Sequence, residues 1–353
     1  QDMIATLASR AADALDLKSK IEHRDFRELA PVTIFEEIDR KIIVDLAAAV
    51  AAQSITPREV AELVRQRQDS LWKDKYTKLY EATQSAAELL GAIAALPTTV
   101  ESIDLGLQMY QSDWFRIDQQ YRWFTFAYQT AEFQKPLASL KDEVDKQYAN
   151  KFLYQFGERW QHALEPTDQW KSVSLAPQSK FFDDHIAPTV KDGRTKAVVI
   201  ISDGMRYEVA EELTSLIRSE NRFDASLSAV LGMLPSYTQL GMAALLPQSA
   251  LELDPTALPV LADGKPTNGT ANRDKVLQAI KGHAIAAADV LAMPGDELRD
   301  LYKQYQIFYV YHDRIDAAGD KAATERTVFQ AAEDTLRELV LLVKKWTNAN
   351  ATN

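Results

Sequence analysis

The run Ala197-Val198-Val199-Ile200-Ile201 is apolar at every position. A strand with one wet face would alternate apolar and polar residues, so this run predicts a strand buried on both faces, as in a parallel sheet covered by helices. The polar turn Lys191-Asp192-Gly193-Arg194 precedes it. Ser202-Asp203-Gly204 ends it, and MRYEVAEELTSLIRSE follows with Val209, Leu213 and Leu216 on one side of an amphipathic helix. A second strand is expected over Ala225 to Gly232 and a third over Ile307 to Tyr311. The turn signal at Asp263-Gly264 predicts a small inserted hairpin. The last helix is expected near 322 to 346, carrying Val328, Leu336, Leu339, Val343 and Trp346, before the chain runs out in Asn-rich residues.

The first 180 residues contain few glycines and read as helix after helix. Thr56-Pro57-Arg58-Glu59 is a capping box with Pro at the first helical position, so a long helix starts there. Trp114, Ile117, Tyr121, Phe124 and Tyr128 recur at spacings of three and four, which places them on one stripe. Val144, Tyr148, Phe152 and Phe156 repeat the pattern, and Trp160 and Leu164 continue it. Stripes this regular predict helix packing rather than a ligand surface. With 353 residues, of which 46% are hydrophobic, the chain has material for two cores. The composition changes near 180, which divides it into a helical region over 1–185 and an α/β domain over 186–353.

No stretch of about 18 uncharged apolar residues occurs, and the opening QDMIATLASRAADALDLKSK lacks a basic segment followed by an apolar one. The expectation is a soluble cytoplasmic chain with no membrane partner. There is no Cys, so disulfides and thiolate metal sites are excluded. Carboxylate, imidazole and hydroxyl are the strong ligands that remain. A formal net charge of -11 disfavours broad sequence-independent binding to nucleic acid, which depends on cationic neutralisation of phosphates. A local basic groove stays open.

Chemistry concentrates where the predicted strands end. Asp203 lies between a strand and a helix, the edge at which open α/β sheets hold ligands, and Gly204 permits a tight turn there. An Asp in that place is equally a helix N-cap or a metal ligand. Thr238, in Leu234-Pro235-Ser236-Tyr237-Thr238-Gln239, again precedes an apolar helix and reads either as a second cap or as a hydroxyl poised near backbone N–H groups that suit a phosphoryl oxygen. As a nucleophile it needs a metal or base to favour the alkoxide. His312-Asp313-Arg314-Ile315-Asp316 follows the third strand, with Asp320 four residues further on past a glycine. Carboxylates at that spacing can hold one cation, and a second cation held by Asp203 would lie across Thr238.

The segments AVVIISDGMRYEVAEEL, LPSYTQLGMAALLP and YVYHDRIDAAGD together resemble the PglZ domain, a branch of the alkaline phosphatase superfamily found in BREX-type phage defence. The likeness extends back through WFRIDQQYRWF, FLYQFGERW and FFDDHIAP. It implies an alkaline phosphatase-like α/β/α sheet domain preceded by a mostly helical one. It implies Thr238 as nucleophile, Asp203 and Asp316 as metal ligands, and Asp320 at a position where many superfamily members carry His. Two divalent metal sites, most simply zinc, follow from it, as do phosphate-ester hydrolysis, a nucleotide or nucleic-acid substrate, and other proteins of the defence system as partners. The superfamily pattern also expects an Asp-His pair and a further His downstream. Here the Asp-His pair is Asp184-His185, upstream of the first motif. The expectation is therefore a fragment, with a site incomplete at the C-terminal side.

His312 can orient a ligand or touch substrate, but its neighbours already supply carboxylates, which favours a structural hydrogen-bonding role. Arg206, in the first turn after Asp203, can clamp a phosphate or pair with a carboxylate. His23, His162 and His283 have no matching partners and read as surface or packing residues. Three functions stay open: a phosphatase or phosphodiesterase, a mutase, and a catalytically incomplete scaffold that docks other defence proteins.

Overall fold

A computed structural model describes residues 2–167, 169–253, 259–320 and 327–350. The chain divides into two compact units, 1–166 and 167–353. The division falls after Pro166 rather than at 185, because the segment after it belongs with the sheet: Phe181, Phe182 and Ile186 pack with Val199, Tyr309 and Leu246.

The first unit is helical. The helix Pro57–Arg67 begins on the expected capping box, in which Thr56 N donates to Glu59 Oε2 at 2.8 Å and Glu59 N donates to Thr56 Oγ1 at 3.3 Å. Trp114, Ile117 and Phe124 are buried, and Tyr121 and Tyr128 pack against the same core. The second stripe has a feature that periodicity leaves out. Val144, Tyr148, Phe152 and Phe156 repeat every four residues, which would carry successive side chains about 40° around an α-helix. The backbone instead widens to a π-helix over Tyr148–Phe156, and all four side chains stay buried. Tyr121 stacks on Tyr148 with ring centres 3.8 Å apart, tying the two stripes together.

Two polar knots hold this core. Asp39 accepts from Arg67 Nε (3.0 Å) and Nη2 (2.8 Å), from Ser70 Oγ (2.6 Å) and from Tyr80 Oη (2.6 Å). Arg67 also donates to the carbonyls of Ala30 (2.7 Å) and Val32 (2.8 Å), so every charge in this fully buried pair is matched. Replacing Asp39 with Ala leaves the Arg67 charge buried and unpaired and is expected to cost about 3–5 kcal/mol in denaturant unfolding, whereas Ala at Arg24, in an exposed pair, leaves stability unchanged.

The second knot is Glu36, which accepts from Lys75 Nζ (2.7 Å), Tyr76 Oη (2.8 Å) and Arg40 Nη2 (2.9 Å). Burial pushes its carboxyl up, but those three donors outweigh it and hold the pKa below the ordinary 4.5. A depressed folded pKa contributes stability above the unfolded value, and that contribution disappears as pH falls through the folded one. The Glu36→Gln chain should therefore be less stable than wild type at neutral pH, with the difference shrinking below pH 4.5 in unfolding curves taken across the acid range.

In the second unit the strands are β1 (Ala197–Ser202), β2 (Leu251–Leu253), β3 (Val260–Ala262), β4 (Lys265–Pro266), β5 (Gly282–Ala286) and β6 (Ile307–His312). A parallel sheet runs in the order β1-β6-β5, with Ala197 opposite Ile307 and Ser202 opposite His312. Central β6 is buried at every position. Ile307, Tyr309 and Tyr311 enter one hydrophobic layer, and Phe308 and Val310 enter the other beneath the helix Val328–Asn350, so the domain is a three-layer α/β/α sandwich. Strands β2, β3 and β4 form the separate antiparallel hairpin sheet, which turns at Asp263-Gly264.

Besides the boundary, the sequence expectation departs from the structure at three places. Residues 225–232 form no strand; their β-type pairing among the described residues is a single isolated bridge, Leu231 to Pro177. From 225 to 229 the side chains alternate between half-buried and exposed, and only Leu231 is buried, which leaves too little apolar surface to hold the segment in the sheet. Conversely, the edge strand β5 arises from Gly-His-Ala-Ile-Ala, a segment poor in β-branched residues whose start reads as a turn. Gly282 is needed there, since a Cβ would sit 3.0 Å from Leu277 Cβ. The last helix continues through the Asn-rich end to Asn350, while the expected helical start at 322 to 326 lies outside the described residues. No described helix is long and apolar enough to cross a membrane.

Candidate active site

Parallel pairing brings the ends of β1 and β6 side by side. Asp203 N donates to His312 O at 2.8 Å, so the turn after β1 lies directly against the loop after β6. Gly204 takes φ +72°, and a Cβ there would fall 3.1 Å from Asp316 N and 3.2 Å from Ile315 Cγ2. Close approach, as much as turn geometry, is the reason for glycine at this position. The helix Thr238–Ala244 reaches the same edge, and a cleft of about 940 Å³ opens there, lined by Asp203, Thr238, His312, Asp316 and Asp320.

Neither alternative role as a cap is realised. The residue capping the helix Tyr207–Ser219 is Arg206, and the one capping Thr238–Ala244 is Tyr237. Asp203 Oδ1 accepts a local bond from Gly204 N at 3.0 Å, and Thr238 is exposed as the first helical residue. Arg206 is exposed and lies outside the cleft lining.

Like charges crowd the site. Burial raises the Asp203 carboxyl above its ordinary value, Asp316 and Asp313 raise it further, and Arg273 opposes them. Asp316 is also raised, first by burial and then by Asp320 and Asp313. Such mutual repulsion is what a cation relieves, and Asp203 with Asp316 fit as part of its ligand set. Among the described residues, however, no three His, Asp or Glu side chains gather closely enough to complete one.

His312 lines the cleft with both ring nitrogens engaged. Nδ1 lies 3.2 Å from Ser202 Oγ and Nε2 2.9 Å from Glu338 Oε2. Arg314 Nε donates to the same Glu338 oxygen at 3.0 Å. Burial pushes the Glu338 carboxyl up, but Arg314 and His312 together hold it below its ordinary range.

Sequence reasoning missed Arg273 and Gln239. Arg273 lies on the helix Thr270–Gln278, and its Nη2 donates to Gln239 Oε1 at 3.3 Å, beside Thr238. No strand end marks it, since it comes from the helix after the hairpin; its only sequence signal is a cation within the motif-bearing domain.

Residues 181–353 match the family model described as the BREX system PglZ alkaline phosphatase-like domain. Residues 181–353 are a PglZ domain. The chain is 37% identical over 326 residues to the alkaline phosphatase-like protein BrxZ of Escherichia coli O9:H4 (strain HS), an alignment covering 88% of this chain and 38% of that protein. It is 33% identical over 294 residues to the alkaline phosphatase-like protein PglZ of Bacillus cereus (strain H3081.97), covering 81% of this chain and 34% of that one. The chain thus spans little more than a third of the length of either relative. The three-layer sheet of the PglZ domain accords with the alkaline phosphatase-like α/β fold that the family description implies.

The contact between the first and third loops of the PglZ domain is testable through Gly204. Gly204→Ala meets both an unfavourable positive φ and the Asp316 backbone, and is expected to lower stability by about 2 kcal/mol. Gly193→Ala, at φ +70° but in open space, isolates the backbone part of that cost in the same unfolding measurement.

Proposed function

We propose that the cleft hydrolyses phosphate esters by way of Thr238. The observation that carries this reading is the convergence of three segments distant in the chain: an exposed hydroxyl at a helix start shares one cleft with Asp203 and Asp316. Thr238 Oγ1 attacks phosphorus, the bond from phosphorus to the ester oxygen breaks, and the alcohol departs with a proton. Water then cleaves the phosphothreonine, releasing phosphate and restoring the hydroxyl. Asp203 and Asp316 would hold a divalent cation, zinc or a similar ion, with Asp320 beside them and a second site expected in the full-length protein. When bound, the cation favours the threonine alkoxide and offsets charge that develops on the phosphoryl oxygens. His312, already occupied by Ser202 and Glu338, holds the end of β1 to the last helix and does not touch substrate.

Membership of a BREX-associated family supports other defence proteins as partners, and we take a nucleotide or nucleic acid as the candidate phosphate ester. One observation favours a second reading, a docking scaffold: the described carboxylates and imidazoles do not close a three-ligand site. Turnover separates the two. Full-length protein supplied with zinc or manganese should cleave p-nitrophenyl phosphate or its bis ester, and Thr238→Ala should lower the rate by about 10³-fold or more. Acid quenching with a radiolabelled ester should trap label on Thr238. A full-length protein inert with every metal would favour the scaffold instead.

A further inference from the structure

Arg273 is a charged side chain only 5% exposed, and the groups it touches directly are neutral. Its Nε donates to Thr267 O at 2.8 Å, its Nη2 to Gln239 Oε1 at 3.3 Å, and its guanidinium carbon stands 4.6 Å over the ring of Tyr311. Among the described residues it forms no ion pair, whereas the deeply buried Arg67 is matched by Asp39. A buried cation without a counter-ion is costly unless an anion arrives. Arg273 also lines the cleft, so an anion has a route to it.

A second observation concerns Tyr311, at the end of β6. Its side chain lines the same cleft, and its hydroxyl is buried without a well-formed hydrogen bond among the described residues. A buried donor left in this state lacks a partner that a ligand oxygen can supply. Guanidinium and phenol therefore sit together, between the segment carrying Thr238 and the strand that leads to Asp316.

Building on the phosphate-ester reading, we infer that Arg273 and the Tyr311 hydroxyl form the seat for the phosphoryl oxygens, on the Thr238 side of the acidic cluster. The fork of the guanidinium receives two oxygens of a tetrahedral anion, and its contact with Gln239 aligns that anion with the adjacent hydroxyl. Arg273 is thus a substrate-binding residue, and the substrate is an ester with at least one anionic phosphoryl oxygen. The competing role is structural, with Arg273 merely fastening the hairpin loop at Thr267 to the Thr238 segment.

Inorganic phosphate binding to the whole chain distinguishes these roles. It is measured by calorimetry in EDTA, so that no cation bridges the anion to the carboxylates, and in the Thr238→Ala background, so that no covalent step intervenes. Phosphate should bind this chain, Arg273→Gln should weaken it by about tenfold or more, and Tyr311→Phe should weaken it by a smaller factor without lowering the melting temperature. Arg273→Lys keeps the charge but loses the fork, and is expected to fall between wild type and Gln. If Arg273→Gln does not fold, Tyr311→Phe and Arg273→Lys decide the matter. Equal phosphate affinity across the folded variants, or no binding by the parent chain, overturns the proposal. Because the measurement needs no turnover, its failure is separate from a failure of Thr238 to act as nucleophile.

Discussion

The pairing of β1 with β6 is the constraint on which the candidate site depends. Each strand alone only delivers an acidic residue to the end of a run of apolar side chains. Parallel alignment with Ser202 opposite His312 makes the two ends neighbours, and the backbone bond from Asp203 to His312 joins the turns that follow. Burial of β6 on both faces locks that register, because a slip by one residue would exchange the two layers of side chains.

Once the ends are joined, electrostatics organises what surrounds them. The Asp203 and Asp316 carboxyls are raised first by burial and then by the acidic charges around them, so the centre of the cleft is under like-charge tension. The flank beside it is neutralised: Glu338 is balanced by Arg314 and His312, which also fastens the last helix to the end of β1. Arg273, on the Thr238 side, is held by carbonyl, amide and ring and, among the described residues, by no carboxylate, leaving its charge to act on the cleft. Acidic, neutralised and cationic parts thus follow one another across a single opening.

The helical unit solves a different problem. Its side chains repeat every four residues, a period that an ideal α-helix does not keep on one face, and the backbone widens into π-helical turns to accommodate them. The apolar stripe outweighs regular hydrogen-bond geometry there, because burying Tyr148, Phe152 and Phe156 together is worth more than the lost regularity.

Sequence alone determined the residue types and their local settings: a strand apolar on both faces before Asp203, the capping box at Thr56, the aromatic stripes, the hairpin at Asp263-Gly264, and the likeness to PglZ domains. These are legible because each depends on neighbours within a few positions. Only the tertiary structure decided that 225–232 stays out of the sheet while Gly282–Ala286 enters it, that Arg206 lies away from the cleft, and that Arg273 enters it from an unmarked helix. Those outcomes turn on which surfaces meet across long stretches of chain. Strand pairing and the burial of a charge are properties of two partners, and a single segment carries only one of them.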